Sequence, residues 1–141
     1  MVNDSDLERL KTAYRIWHDT KGEEERARGA WLELFGDQFR IVSMGDQTPE
    51  IEFARTRQSK SEMVDYFFGL LKDWKMVHWS PDTFVKEGNH IAVFGRTAWT
   101  NRATGKTADV LVAHLWTFDQ AKAVNLVEVF DSARAVAAAT P

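Results

Sequence analysis

The sequence predicts an α+β domain in which three N-terminal helices pack on one face of a curved antiparallel sheet. Three observations carry this prediction. Apolar residues recur at three- and four-residue steps as far as Leu71. From Lys75 to Ser132 the apolar period drops to two. Turn-forming pairs at Gly88-Asn89, Thr104-Gly105 and Gln120-Ala121 cut that second stretch into four strands joined as consecutive hairpins. A chain of 141 residues with neither an internal repeat nor a low-complexity linker reads as a single domain, 1–141, with one core.

The elements follow in order. Ser5 or Asp4 is placed to cap a first helix in which Leu7, Leu10, Tyr14 and Trp17 share one stripe, ending near Lys21-Gly22. A second helix begins at about Glu23, with Ala27, Ala30, Trp31, Leu34 and Phe35 on its inner stripe and Gly36 as its stop. Glu23, Glu24 and Glu25 sit at its dipole-positive start. Phe39 to Ser43 reads as a short strand and Gly45 to Pro49 as a loop, while the stretch to Ser59 carries no clear period. Ser59 or Ser61 opens a third helix whose apolar positions Met63, Val64, Phe67, Phe68, Leu70 and Leu71 span an arc wide enough for deep packing. After Asp131 an alanine-rich tail forms a short helix or frays.

Composition excludes several functions. A net charge of −3, with scattered lysines and arginines, offers no basic field for nucleic acid. Without cysteine there is neither a disulfide framework nor a thiolate metal site. His18, His78, His90 and His114 fall on different elements with no paired ligand spacing, so no metal is expected. Gly45, Gly69 and Gly88 stand singly, so no phosphate loop and no nucleotide cofactor are expected either. No apolar run approaches the ~20 residues of a membrane span, and the N-terminus lacks the layout of a secretion signal. The expected location is cytoplasmic.

The informative stretch is Val110 to Phe118. Every even position except His114 is a large apolar residue, and most odd positions are apolar too. This is a central strand buried on both faces with one ionisable group planted in it, as expected of a small-molecule pocket. The partners of His114 depend on register. A two-residue turn pairing Asp119 with Lys122 sets His114 opposite Val127, on the face of Asp131; a three-residue turn sets it opposite Glu128, on the face of Phe130. Across the other hairpin, a two-residue turn at Thr104-Gly105 sets Gly95 opposite His114, leaving room for a ligand, and sends Val93, Thr97 and Trp99 to the same face. Val112, Trp17, Trp99, Trp116 and Phe130 then form walls suited to an aromatic or polycyclic molecule. Leu111, Ala113 and Leu115, with Ile91 or Ala92 beside them, are too apolar to face water, which calls for a second subunit against the outer sheet face.

Helix 1 with Tyr14, the Gly22-Glu23 start of helix 2, Leu34-Phe35-Gly36-Asp37, Arg102 to Lys106 and the closing run Glu128 to Ala133 resemble the NTF2-like superfamily. More narrowly, the chain resembles SnoaL-like and ketosteroid-isomerase-like proteins over about residues 5–136. The resemblance implies a cone-shaped cystatin-like α+β roll with an apolar pocket and a sheet-to-sheet homodimer. Members include isomerases, polyketide cyclases, epoxide hydrolases, dehydratases and binders without chemistry, so the fold alone does not fix function. Ketosteroid isomerases use a helix-1 tyrosine and a strand carboxylic acid as oxyanion donors, and an aspartate near the first strand to move the proton. Tyr14 matches the tyrosine and His114 falls at the oxyanion acid. The aspartate position falls on or beside Ser43, so the usual base is missing. The resemblance favours Glu128 and Phe130 facing the pocket, with Asp131 near its rim.

Three functional readings follow. The first is a cofactor-free pocket protein that binds a hydrophobic small molecule and performs isomerase, cyclase or hydrolase-type acid/base chemistry on it. His114 is then the general acid or base, since imidazole titrates nearest neutrality, with Glu128 orienting it, Tyr14 donating to a substrate oxygen and Asp131 in reserve. The second is a carrier or sensor with the same pocket, favoured by the lost base at Ser43. The third is an interaction module using the outer sheet. Plainer roles stand beside these: His114 satisfied in the core by Tyr14 or Glu128, and Asp131 capping the tail helix.

Overall fold

A computed structural model describes residues 1–141. Helix α1 spans Asp4–Thr20, α2 Glu25–Leu34 and α3 Lys60–Asp73. Strand β1 covers Phe35–Val42, β2 Trp74–Glu87, β3 His90–Asn101, β4 Thr107–Asp119 and β5 Lys122–Phe130, and α4 closes the chain over Ser132–Ala139. The five strands form one sheet in the order β1-β5-β4-β3-β2. Leu10, Tyr14, Trp17, Trp31, Met63 and Phe67 turn the helices' buried stripes toward the inner sheet residues Ile91, Val93, Val112 and Trp116. The domain is α+β, as the change of period predicts.

The helix ends differ from the sequence reading where local chemistry offered a better partner. Asn3, not Ser5 or Asp4, caps α1: its side chain accepts from the Asp6 backbone N–H while the Asp6 carboxylate accepts from that of Asn3. No glycine stops α2. The chain passes straight into β1 at Phe35, whose ring stacks on Phe39 with centroids 3.9 Å apart. That burial overrides the break expected at Gly36, so the strand is longer than Phe39 to Ser43. Helix α3 is not packed all round either, because Val64 and Phe68 lie on its water-facing side.

The sheet is mixed, which corrects the purely antiparallel expectation. Strand β1 runs parallel to β5, with Arg40 beside Asn125 and Val42 beside Val127. A parallel neighbour needs a long crossover, and here the connection comprises everything from the irregular 3₁₀ segment Pro49–Ala54 through α3 and three strands. Local pattern carries no sign of so distant a partner.

Bulges set the remaining registers. At the β4–β5 hairpin, Asp119 does pair with Lys122 across a two-residue turn in which Gln120 and Ala121 both take positive φ. Val124 is then skipped: Thr117 pairs with Asn125 and Phe118 with Ala123. One bulged residue thus gives His114 the Glu128 partner that the three-residue turn was expected to supply. On the other side His114 faces Val93, and Gly95 faces Val112, two residues from the predicted pairing. A shift of two preserves the face. The five residues between β3 and β4, in place of a two-residue turn, account for it.

Gly95 does not open the space beside His114. A methyl group there would sit 2.3 Å from the Ser80 carbonyl oxygen, because β2 bulges at Asp82 and presses its backbone onto β3. On the outer sheet face the exposed side chains of Phe94, Leu111, Leu115, Val127 and Val129 lie on adjoining rungs. Ala92, opposite Leu115, belongs to that face, whereas Ile91 is fully buried on the inner one.

Candidate functional site

Between the helices and the inner face of the sheet lies a cavity of about 110 Å³. Its lining includes every tryptophan and both tyrosines of the chain. Of the ligand-wall residues expected from sequence, Trp17, Trp99, Trp116, Phe130 and Val112 line it and Gly95 does not. Neither does Asp131, which is exposed, accepts from the Arg134 backbone N–H as the N-cap of α4 and pairs with the Arg134 side chain at 3.3 Å. A capping carboxylate at a helix start is satisfied there, which fits the plainer of the two roles considered for it.

The polar groups of the cavity form one connected line. Tyr14 reaches in from the fourth turn of α1 because it shares a stripe with Leu10 and Trp17. Its hydroxyl accepts from the Trp116 indole N–H at 2.9 Å and lies 2.5 Å from His114 Nδ1. His114 Nε2 lies 2.7 Å from Glu128 Oε2, its cross-strand partner. The other carboxylate oxygen, Oε1, accepts from Ser43 at 2.7 Å and from Tyr66 at 3.0 Å.

Counting donors orders this network. The Tyr14 hydroxyl hydrogen has one acceptor in reach, His114 Nδ1, so His114 takes the neutral tautomer that donates from Nε2 to Glu128. Glu128 then receives three donors, from His114, Ser43 and Tyr66. Burial acts to raise the carboxyl's pKa. The His114 contact, followed by the Ser43 and Tyr66 hydroxyls, outweighs burial and holds it below the usual range. Both phenols move the other way. Burial pushes Tyr14 and Tyr66 well above 10, and the negative charge of Glu128 adds to it.

Sequence reasoning missed Tyr66, Trp31, Trp74 and Trp79. Tyr66 had a signal: it lies three residues after Met63 and four before Leu70, on the buried stripe of α3. Trp79 had none, since the bulge at Val77 breaks the period of two just before it. Ser43 was noted only for the aspartate it lacks. Here its hydroxyl binds Glu128. No group of three or more His, Asp and Glu side chains is gathered as a metal site would need, and no helix is long and apolar enough to cross a membrane.

An NTF2-like protein of unknown function from Burkholderia pseudomallei superposes on 99% of this chain and 100% of its own, with a TM-score of 0.84 at 20% identity. The chain has the NTF2-like fold. A structure from Jannaschia named as a candidate SnoaL-like polyketide cyclase covers 100% of the chain and 98% of its own at TM-score 0.75 and 14% identity. A ketosteroid-isomerase-like protein from Catenulispora acidiphila, in complex with trimethylamine, covers 95% and 98% at TM-score 0.73 and 12% identity. No family model matches the sequence. An uncharacterized protein of Methanocaldococcus jannaschii is 30% identical over 83 residues, 55% of this chain and 54% of that protein, so the chain spans about half the length of the curated relative it matches.

Proposed function

We propose that this NTF2-like chain binds a compact small molecule in the tryptophan-lined cavity, oriented by Tyr14, His114 and Glu128. The observation that carries the reading is an ionised, hydrogen-bonded carboxylate set in an otherwise apolar cavity. The trimethylamine in the Catenulispora neighbour adds support, as a small molecule held by this fold. The volume supports a smaller ligand than the polycycle expected from sequence. At about 110 Å³ the cavity is smaller than the ~150 Å³ that takes up benzene, which suits one small ring or less and not a polycycle.

Binding is favoured over proton transfer by the same hydrogen bonds. Both His114 nitrogens are engaged, and a carboxylate with a lowered pKa is a weak base. The acid/base reading keeps one specific support, the unbroken line from Tyr14 through His114 to Glu128. In that reading Tyr14 turns its hydroxyl to a substrate oxygen and frees His114 Nδ1 to take a proton, while Glu128 orients the ring.

The test is a titration with benzene and phenol followed by tryptophan fluorescence and thermal unfolding. With every tryptophan on the cavity wall, occupancy is expected to give a saturable fluorescence change. Ligand at 100 times its Kd is expected to add about 2.7 kcal/mol of stability. If neither compound nor any small amine produces saturation, the reading fails. Turnover of a bound compound that is lost in His114→Gln with affinity kept would move the assignment to catalysis.

The outer face of the sheet supports a second part of the proposal, a homodimer through Phe94, Leu111, Leu115, Val127 and Val129. Sedimentation of the purified chain is expected to give a dimer that Leu111→Glu dissociates. A monomer at every concentration, or pairing only with a different protein, would overturn it.

A further inference from the structure

We propose that the occupant of the cavity is a small organic cation, a tertiary or quaternary ammonium, held among the indole rings with its charge beside Glu128. This rests on the reading of the cavity as a ligand site and adds the chemical class of the ligand.

Charge is the first argument. Apart from His114, Glu128 is the one acidic or basic residue in the lining. With the Tyr14 hydroxyl donating to Nδ1, His114 meets Glu128 as a hydrogen-bond donor, and no lysine or arginine borders the cavity to balance the carboxylate. The nearby buried cation, Arg57, binds Asp65 at 3.0 Å and the Arg55 carbonyl at 2.8 Å, leaves its Nε without a partner, and does not line the cavity. A neutral apolar occupant would leave the remaining acceptor position of this carboxylate without a partner. A cation gains an attraction that strengthens as the surroundings become less polar.

Remaining valence is the second. A carboxylate offers about four acceptor positions, of which His114, Ser43 and Tyr66 take three. Oε2 has one bond where Oε1 has two, so the open position is on the oxygen shared with His114. The N–H of a protonated tertiary amine fits it, and a quaternary ammonium would use charge alone.

Walls and size are the third. Indole is the best side-chain partner for a cation, and Trp17, Trp31, Trp74, Trp79, Trp99 and Trp116 all border the space. A volume of about 110 Å³ is matched by a compact ammonium with methyl-sized substituents.

The experiment compares tetramethylammonium and trimethylammonium chlorides with tert-butanol, a neutral molecule of similar shape, and with benzene, by calorimetry on the full chain. Both ammoniums are expected to bind at least about tenfold tighter than tert-butanol, and Glu128→Gln is expected to erase that preference. The comparison within the wild-type protein stands even where that variant does not fold. Equal or tighter binding of tert-butanol or benzene would overturn the cation assignment and leave the pocket reading intact. Absence of binding by all four probes would overturn both.

Discussion

Replacing Glu128 with alanine is expected to remove at least about 3 kcal/mol of folding stability, because it orphans several buried donors at once. The carboxylate is the common acceptor for His114, Ser43 and Tyr66. Without it three donors are left in an apolar cavity, each costing about 1–3 kcal/mol where water does not replace the bond. Glu128→Gln should lose less. Its carbonyl still accepts from Ser43 and Tyr66, and the conflict is confined to its amide meeting His114 Nε2–H. A flip of the His114 tautomer would relieve that clash but leave the Tyr14 hydroxyl without an acceptor, so a loss of about 1–3 kcal/mol is expected. Urea unfolding of the two variants with unchanged m-values checks the ranking. Acid provides a second check. Because the folded pKa of Glu128 is depressed, its contribution is fully present above the unfolded value of 4.5 and is lost as pH falls through the lower folded value. Glu128→Gln should lack that part of the acid destabilisation. Equal stability of wild type and Glu128→Ala would mean that water already fills the site and that the hydrogen-bond line carries no weight.

How legible this network was in the sequence differs residue by residue. The stripe Leu7, Leu10, Tyr14, Trp17 fixed the inward direction of Tyr14, because a helix with that spacing has one side to bury. His114 stood out for the same reason on a strand, as the polar exception in an apolar alternation. Both readings use local periodicity, and periodicity is what a chain writes most plainly. The His114–Glu128 pairing was different. The turn at Gln120-Ala121 taken alone puts Val127 opposite His114, and the skipped Val124 moves it to Glu128. A bulge residue need not be a glycine, and nothing at Val124 marks it before the strands pair.

Gly95 is the instructive misreading. A glycine across from a pocket histidine suggests space for a ligand, yet the space belongs to the Ser80 and Pro81 backbone of β2. Glycine marks a close approach, and the sequence does not say by what. The parallel pairing of β1 with β5 was hidden by distance, since Phe35 and Ala123 are brought together only by the whole intervening fold. Tyr66 was hidden in plain view, on a stripe read only for its apolar members.

Tyrosine ionisation is expected to be silent in the folded protein up to the pH at which it unfolds. The chain has two tyrosines, Tyr14 and Tyr66, and both are in the cavity wall. Burial raises each well above 10, and the charge of Glu128 opposes a second negative charge beside it. A folded pKa above the unfolded one gives stability that is fully present below pH 10 and is lost as pH rises toward the folded value. As the pH passes 10, the unfolded chain gains two phenolates that the folded chain cannot form. Alkali therefore drives unfolding, and the phenolate absorbance should rise for both residues in one cooperative step that coincides with the loss of the near-ultraviolet circular dichroism of the packed tryptophans. A single tyrosine titrating reversibly near pH 10 in a folded protein would contradict the closed network. If that residue were Tyr66, the Glu128 carboxylate would be open to water, its attraction for a bound cation would be screened, and the cavity would be a solvent cleft. If both stay silent, the hydroxyls and the carboxylate share one dry compartment, which is the condition under which a single unbalanced charge selects its ligand.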